Sequence, residues 1–390
     1  MRFPASNAVL TASLSLAVVA ATASPAAGIP VGTGAPSVQA KAAGGWVTNR
    51  LPTSVIRPFG LNGIAAGSSH LAWAVGAERI GPRQRALLLH WNGRRWIKDA
   101  LPRGLTADNM FQVSSASPGA AWALGFDPSG NASILRWARG SWLRVPIPGP
   151  LKGQTVDSVA GGTGGGGWLA RDSGVQGFLL FHWFRGHWHG IKIPHALGGT
   201  VIDMHAVGRQ DLWINENSVS GNGLIVHYVA GKWSSIAPPS GGVSFIGDVL
   251  PVSTHSVWIT GTLCTAFQGP FCMTSMPQLA HWNGIKWGVV LHPSRIAGTT
   301  TISPARTGRP LWAGVFATGA SGLVSEPLFY EHFNGTRWLL ERGSTLQLYA
   351  TSTRTDVAAV PGTNATWAIA NSQVSTSSPG VTVIQYNAGG

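Results

Sequence analysis

His90-Trp91-Asn92-Gly93-Arg94-Arg95-Trp96 sets an aromatic residue five positions before a tryptophan, with a tight-turn dipeptide between them. The pattern recurs as RWARGSW (136–142), HWFRGHW (182–188), HYVAGKW (227–233), HWNGIKW (281–287) and HFNGTRW (332–338), which makes six complete copies. The two ends hold the halves of a seventh: Tyr386-Asn387-Ala388-Gly389-Gly390 supplies the first and Gly44-Gly45-Trp46-Val47-Thr48-Asn49 the second. In the turn, Gly tolerates the positive φ that a tight hairpin requires.

Each copy follows a second recurring signal, a Trp inside a short apolar run: Trp73, Trp122, Trp168, Trp213, Trp258, Trp312 and Trp367, spaced 45 to 55 residues apart. Such a period, filled with short alternating runs and Gly, Pro, Ser and Asn breaks, marks propeller blades of four antiparallel strands. Helical periodicity is absent. In the first unit the pattern predicts strand a near residues 64–66, b near 71–76, c near 86–91 and d near 95–99. The step from a strand-d Trp to the polar residue opening the next strand a is 16 for Trp46 to Asn62. It is 16, 15, 15, 15, 14 and 18 at the other joins. The expected fold is therefore an all-β, seven-bladed propeller whose N-terminal strand completes the last blade and leaves no open seam.

The aromatic-turn-Trp pattern resembles that of kelch-type and related secreted propellers over residues 44–390. Kelch repeats carry a Gly-Gly doublet after strand b, where this chain has a single Gly (Gly76, Gly125, Gly261) or none. Neither a sialidase-type Asp box nor a WD dipeptide is present. The resemblance implies a propeller and carries over no functional residue.

Residues 1–27 read as a signal peptide: Arg2, an apolar stretch from Ala8 to Ala21, then small-residue cleavage options. No later stretch approaches the 18 or so continuous apolar residues of a membrane span. Residues 28–43 form a Gly/Ala/Pro/Ser-rich lead-in, and 44–390 the propeller. The expectation is a secreted, extracellular monomer. Its two cysteines, Cys264 and Cys272, are expected to pair as a local clip on blade five.

The chain carries 27 Lys and Arg against 14 Asp and Glu, a formal charge of +13. Every intact c–d turn holds a cation: Arg94 and Arg95, Arg139, Arg185, Lys232, Lys286 and Arg337. In a propeller these turns share one face with the a–b hairpins, which add Arg209, Arg306 and Arg309. A basic rim of this kind attracts polyanions at low salt, among them cell-envelope polymers, acidic glycans, nucleic acid and anionic lipid. Solvated turns favour such residues in any case, and the stems of Lys and Arg cover exposed Trp edges.

The opposite face reads as acidic. Strand-a openers Asn62, Gln112, Asp157, Asp203, Asp248, Thr301 and Asp356 line the channel mouth, and the b–c connections add Glu78, Asp127, Asp172 and Glu216. Carboxylates accept hydroxyl groups and ligate hard cations, so this mouth is a candidate glycan or protein site at which calcium is the one cofactor to consider. An Asp at a strand start also commonly accepts backbone N–H groups from the inter-blade turn. The b–c connections are long in blades one, five, six and seven, which predicts a wall beside an off-centre groove near Asp127, Asp172 and Glu216. Phe267 and Phe271 lie off the repeat and could stack on a sugar ring.

His90, His182, His227, His281 and His332 occupy one repeat position but fall in five sheets, too far apart to share a metal; packing or hydrogen bonding between neighbouring blades is expected. Nucleophile elbows, zinc-protease helices and P-loops are absent, and Gly161 to Gly167 lacks a P-loop lysine. Two classes of function follow. One is a non-enzymatic recognition module for a glycan, envelope polymer or protein. The other is a glycan-active hydrolase or lyase using Asp157 with Asp203, or Asp172 with Glu216, as acid and base.

Overall fold

The computed structural model describes residues 45–172, 178–194, 200–217, 223–237, 239, 243–253, 255–268, 271–290, 298–304, 310–318, 324–325, 329–335, 338–343, 349–350, 352–373 and 381–389. The expected signal peptide and lead-in lie outside them, as do Arg306, Arg309 and Arg337.

Seven four-stranded antiparallel blades form, each in the order a-b-c-d. Blade one is Phe59–Ser68, Leu71–Ile80, Arg83–Trp91 and Trp96–Lys98. Blade two is Asn109–Ser117, Ala120–Phe126, Ala132–Ala138 and Ser141–Val145; blade three is Ser158–Gly161, Gly167–Asp172, Phe178–Phe184 and His187–Ile191. Blade four is Thr200–Gly208, Asp211–Asn217, Gly223–Val229 and Lys232–Ile236; blade five is Val243–Ser253, Ser256–Gln268, Phe271–Trp282 and Trp287–Val290. Blade six is Gly298–Pro304, Pro310–Thr318, Phe329–Phe333 and Trp338–Arg342. Blade seven takes strands a to c from Ser352–Ala359, Thr366–Gln373 and Thr382–Asn387, and strand d from Trp46–Asn49.

The closing strand pairs Trp46 with Asn387, Val47 with Tyr386, Thr48 with Gln385 and Asn49 with Ile384. Across the same join, Trp367, Ile369 and Ile384 of blade seven pack with Leu61, Leu87, Leu89 and Trp96 of blade one in a shared core. Asn371 Nδ2 also donates to the Leu61 carbonyl at 2.6 Å. The last and first blades thus meet through the same kind of apolar contact as the other neighbours.

The repeat's two aromatics explain that contact. The strand-b Trp of one blade packs against the aromatic pair of the next: Trp122 lies 5.8 Å from Trp183 and 5.5 Å from Trp188, and Trp367 lies 5.0 Å from Trp91 and 5.1 Å from Trp96. Trp168 meets Tyr228, Trp258 meets Phe333 and Trp312 meets Trp46 in the same way. Tilted and edge-on geometries predominate, as ring quadrupoles favour. Strand-d indoles then reach back to the preceding blade: Trp188 donates to Pro146 O at 2.7 Å, Trp233 to Lys192 O at 3.1 Å and Trp287 to Ala237 O at 2.7 Å. Close approach demands glycine at one such seam, since a Cβ on Gly167 would stand 2.4 Å from the Trp122 ring.

Two features depart from uniform blades. In blades one and five the extra length before strand c is not irregular loop: strands b and c continue together to Ile80↔Arg83 and Gln268↔Phe271. Continued pairing satisfies backbone groups that a free loop would leave to solvent. Cys264 stands opposite Ser275 and Cys272 opposite Phe267, so the cysteines are not cross-strand partners; their side chains lie outside the described residues, as do those of Phe267 and Phe271. The second departure joins blades six and seven into one sheet, with Phe316, Ala317 and Thr318 pairing Arg354, Thr353 and Ser352.

Candidate functional site

The strand-a polar residues act first as ties between blades. Asn62 Nδ2 donates to Met110 O at 2.8 Å, the Gln112 side-chain carbonyl accepts from Val159 N at 2.8 Å, Asp248 Oδ2 accepts from Ile302 N at 2.8 Å, and Thr301 Oγ1 accepts from Val357 N at 2.7 Å. Each bond runs from one blade to the next. They satisfy backbone groups at the axis that would otherwise be buried without partners.

Of the acidic candidates, Asp203 and Asp248 are brought together, around His205. Asp203 and His205 alternate along strand a of blade four and so leave the same face of it. His205 Nε2 lies 2.8 Å from Asp248 Oδ1 and 3.2 Å from Asp203 Oδ2. Gln112 of blade two reaches the same group, donating to Asp203 Oδ1 at 2.9 Å. Burial alone would pull the imidazole down, but the two carboxylates outweigh it and hold its pKa well above the usual value. A protonated ring shared by two carboxylates results. Burial also pushes the Asp248 carboxyl up, against the opposing pull of His205 and the Ile302 N–H. The three side chains are of metal-binding type and lie within 4.8 Å of one another. Calcium takes six to eight oxygens, however, and the carboxylate oxygens here already serve His205, Gln112, Met204 and Ile302. Sequence reading had not singled out His205; its position two residues after Asp203 was the available signal.

The remaining mouth residues stay apart. Asp127 closes its own turn, accepting from Ser129 N, Asn131 N and Asn131 Nδ2 at 2.9 Å each, and the Asn131 bonds hold its carboxyl below the usual range. Asp157 accepts the Asp172 N–H across blade three. Asp356 is buried in strand a of blade seven, and Glu78 is buried in a salt bridge to Lys98 at 2.7 Å. Glu216 is buried with Oε2 lacking a partner among the described residues, and burial pushes its carboxyl up to about 7. Among the described residues no neighbouring charge contributes to that shift.

His90 packs between neighbours as expected, its ring 4.9 Å from Trp137 of blade two, but the other four repeated histidines pack within their own blades. His182, His227, His281 and His332 lie flat on their cross-strand partners Trp168, Trp213, Trp258 and Trp312, with ring centroids 4.1, 3.9, 4.2 and 4.6 Å apart. Blade two substitutes Arg136, whose guanidinium lies 5.9 Å over the Trp122 ring. The other face carries the expected cations. Arg94, Arg95, Arg139, Arg185, Lys232 and Lys286 are all exposed, and none forms an ion pair among the described residues. Asn92 Oδ1 fixes the first turn by accepting from Arg94 N and Arg95 N at 3.1 and 3.0 Å, and Asn283 does the same for Ile285 and Lys286.

No protein-family model matches the chain, and no curated protein matches it. Among solved structures it is similar to YCF48 bound to D1 peptide, with a TM-score of 0.53 and 15% identity, covering 88% of this chain and 96% of that one. YCF48 from Cyanidioschyzon merolae gives a TM-score of 0.52 at 15% identity, covering 88% and 99%. U3-55K gives 0.51 at 10% identity, covering 88% and 99%. At such identities the likeness is one of fold, the seven-bladed propeller. No helix among the described residues is long and apolar enough to cross a membrane.

Proposed function

We propose that this chain is a secreted, non-enzymatic recognition propeller of kelch-like type that binds an anionic polymer of the cell envelope, a glycan or a protein through its cationic face. The observation that carries the reading is a contrast between the two faces. Six turn cations stand exposed without acidic partners among the described residues, while Asp127, Asp157, Asp203, Asp248 and Glu78 of the mouth are engaged in a turn, a bond within blade three, the His205 cluster, an inter-blade bond and a salt bridge. Uncompensated charge of one sign on one face steers and holds polyanions. A protein partner gains support from the solved structure of similar fold that is bound to a peptide. Export rests on Arg2 and the apolar stretch from Ala8 to Ala21. The test is retention of the purified chain on an anionic wall polymer across a salt gradient. Elution that moves to lower salt in Arg94→Gln/Arg95→Gln supports the reading, and retention indifferent to salt sinks it.

A second reading, a glycan-active enzyme, draws chiefly on Glu216, a buried carboxyl raised to about 7 as a general acid would be, and on Asp157, which burial also raises. Among the described residues no second carboxylate acts on Glu216, whereas glycoside hydrolysis ordinarily uses a pair.

A further inference from the structure

Between blades two, three and four the cationic face opens into a cavity of about 460 Å³. Three guanidiniums line it: Arg136 from strand c of blade two, Arg185 from the c–d turn of blade three and Arg209 from the a–b hairpin of blade four. No carboxylate lines it, and none of the three arginines has a side-chain hydrogen bond or ion pair among the described residues. The Arg136 Nε is shut away from solvent without a partner among the described residues. Uncompensated charge inside a concavity is costly unless something arrives to meet it.

The cations are aimed by rings. Arg209 and Arg185 lie 4.3 and 5.1 Å from the centroid of Phe184, and Arg136 lies over Trp122. Cation–π contact holds each head in place while leaving its N–H fork free. The fourth wall is the Gly-rich a–b link of blade three. A Cβ on Gly165 would stand 2.7 Å from Arg136 Nη2, the movable end of a long side chain, and the residue's positive φ of 75° favours glycine there; Gly164 presents bare backbone with nothing within 4 Å of where its Cβ would be. His182 adds no positive charge at neutral pH: burial, with His189 and Arg209 nearby, lowers its pKa to about 4.

We infer that this cavity is the seat of one oxyanion group, a phosphate or a carboxylate, received by the guanidinium forks of Arg136, Arg185 and Arg209. Bidentate geometry suits arginine to both groups. The volume exceeds that of the anion alone and leaves room for the residue that bears it, with Trp183 and Phe184 as an aromatic wall. This deepens the proposed binding role, on which it rests, by separating a built subsite from diffuse attraction along the rim.

The test is calorimetric titration of the full chain with inorganic phosphate, with glucuronate and with neutral glucose, in about 0.15 M salt. Expected is saturable one-to-one binding of phosphate or glucuronate and none of glucose; which anion binds tells phosphate from carboxylate. Arg209→Gln should weaken it at least about tenfold, the scale of one charge-assisted bond. Arg136→Gln should do the same, with Arg185→Gln as the exposed alternative if Arg136→Gln fails to fold. The rim variant Arg94→Gln/Arg95→Gln should bind unchanged. No saturable binding of either anion, or equal loss in the rim variant, would overturn the inference. Wall-polymer retention measured on the same samples keeps the two claims apart: a silent titration with salt-sensitive retention defeats the cavity and spares the basic face.

Discussion

His205 Nε2 stands 2.8 Å from Asp248 Oδ1, tying strand a of blade four to strand a of blade five at the channel axis. Because the folded chain raises the imidazole pKa well above its unfolded value of about 6.5, the tie contributes in full below that value and is lost progressively from there as pH rises through the folded pKa. Denaturant unfolding of wild type and His205→Gln should therefore differ by a steady margin below the unfolded pKa of about 6.5, and the margin should shrink as pH rises from there towards the folded pKa. A margin that grew with pH would contradict the imidazolium assignment.

Glu216 carries the opposite sign. Its folded pKa of about 7 lies above the unfolded carboxyl value, so ionisation of the buried group destabilises the fold as pH rises through that range. Glu216→Gln should match wild type in acid and exceed it in stability above neutral pH, as read by melting temperature against pH. The double variant Asp172→Asn/Glu216→Gln should bind partners as wild type does; loss of product formation in that variant would install the enzyme reading.

Gly167→Ala should cost about 1–3 kcal/mol, the usual range for forcing an atom into a packed seam, because the new Cβ meets the Trp122 ring. Thermal or denaturant unfolding measures it. A neutral result would mean that blades two and three are not packed ring against backbone as described.

Trp46→Ala should cost about 3–5 kcal/mol, since this buried indole stacks on Tyr330 at 4.0 Å and meets Trp312 at 5.0 Å from the closing strand. Increased protease sensitivity near both ends of the propeller should accompany it. Unchanged stability would mean that the ring does not depend on its N-terminal strand.

Blade number, strand order and the closing strand were legible in the sequence because every blade must present the same aromatic pair to its neighbour, and a contact made seven times leaves a period. The Trp–His stacking was half legible: the shared position excluded a metal, but only the register revealed that His182, His227, His281 and His332 lie on the Trp of their own blades while His90 meets Trp137 of the next. The axial cluster was not legible, because Gln112, Asp203 and Asp248 come from three blades and their meeting depends on strand tilt at the channel. Arg136 did leave a signal, standing where five other repeats carry His. Its meaning depended on Arg185 and Arg209 closing the same cavity from two further blades.

The central claim, recognition without catalysis through the cationic face, is tested most directly by one array. The purified chain is applied to wall polymers, acidic and neutral glycans and peptides at low and high salt, and every spot is scored for both binding and product release. The account predicts binding to anionic members, weakened by salt and by Arg94→Gln/Arg95→Gln, with nothing released. Release of product from any member, or binding confined to neutral members and indifferent to salt, would contradict it.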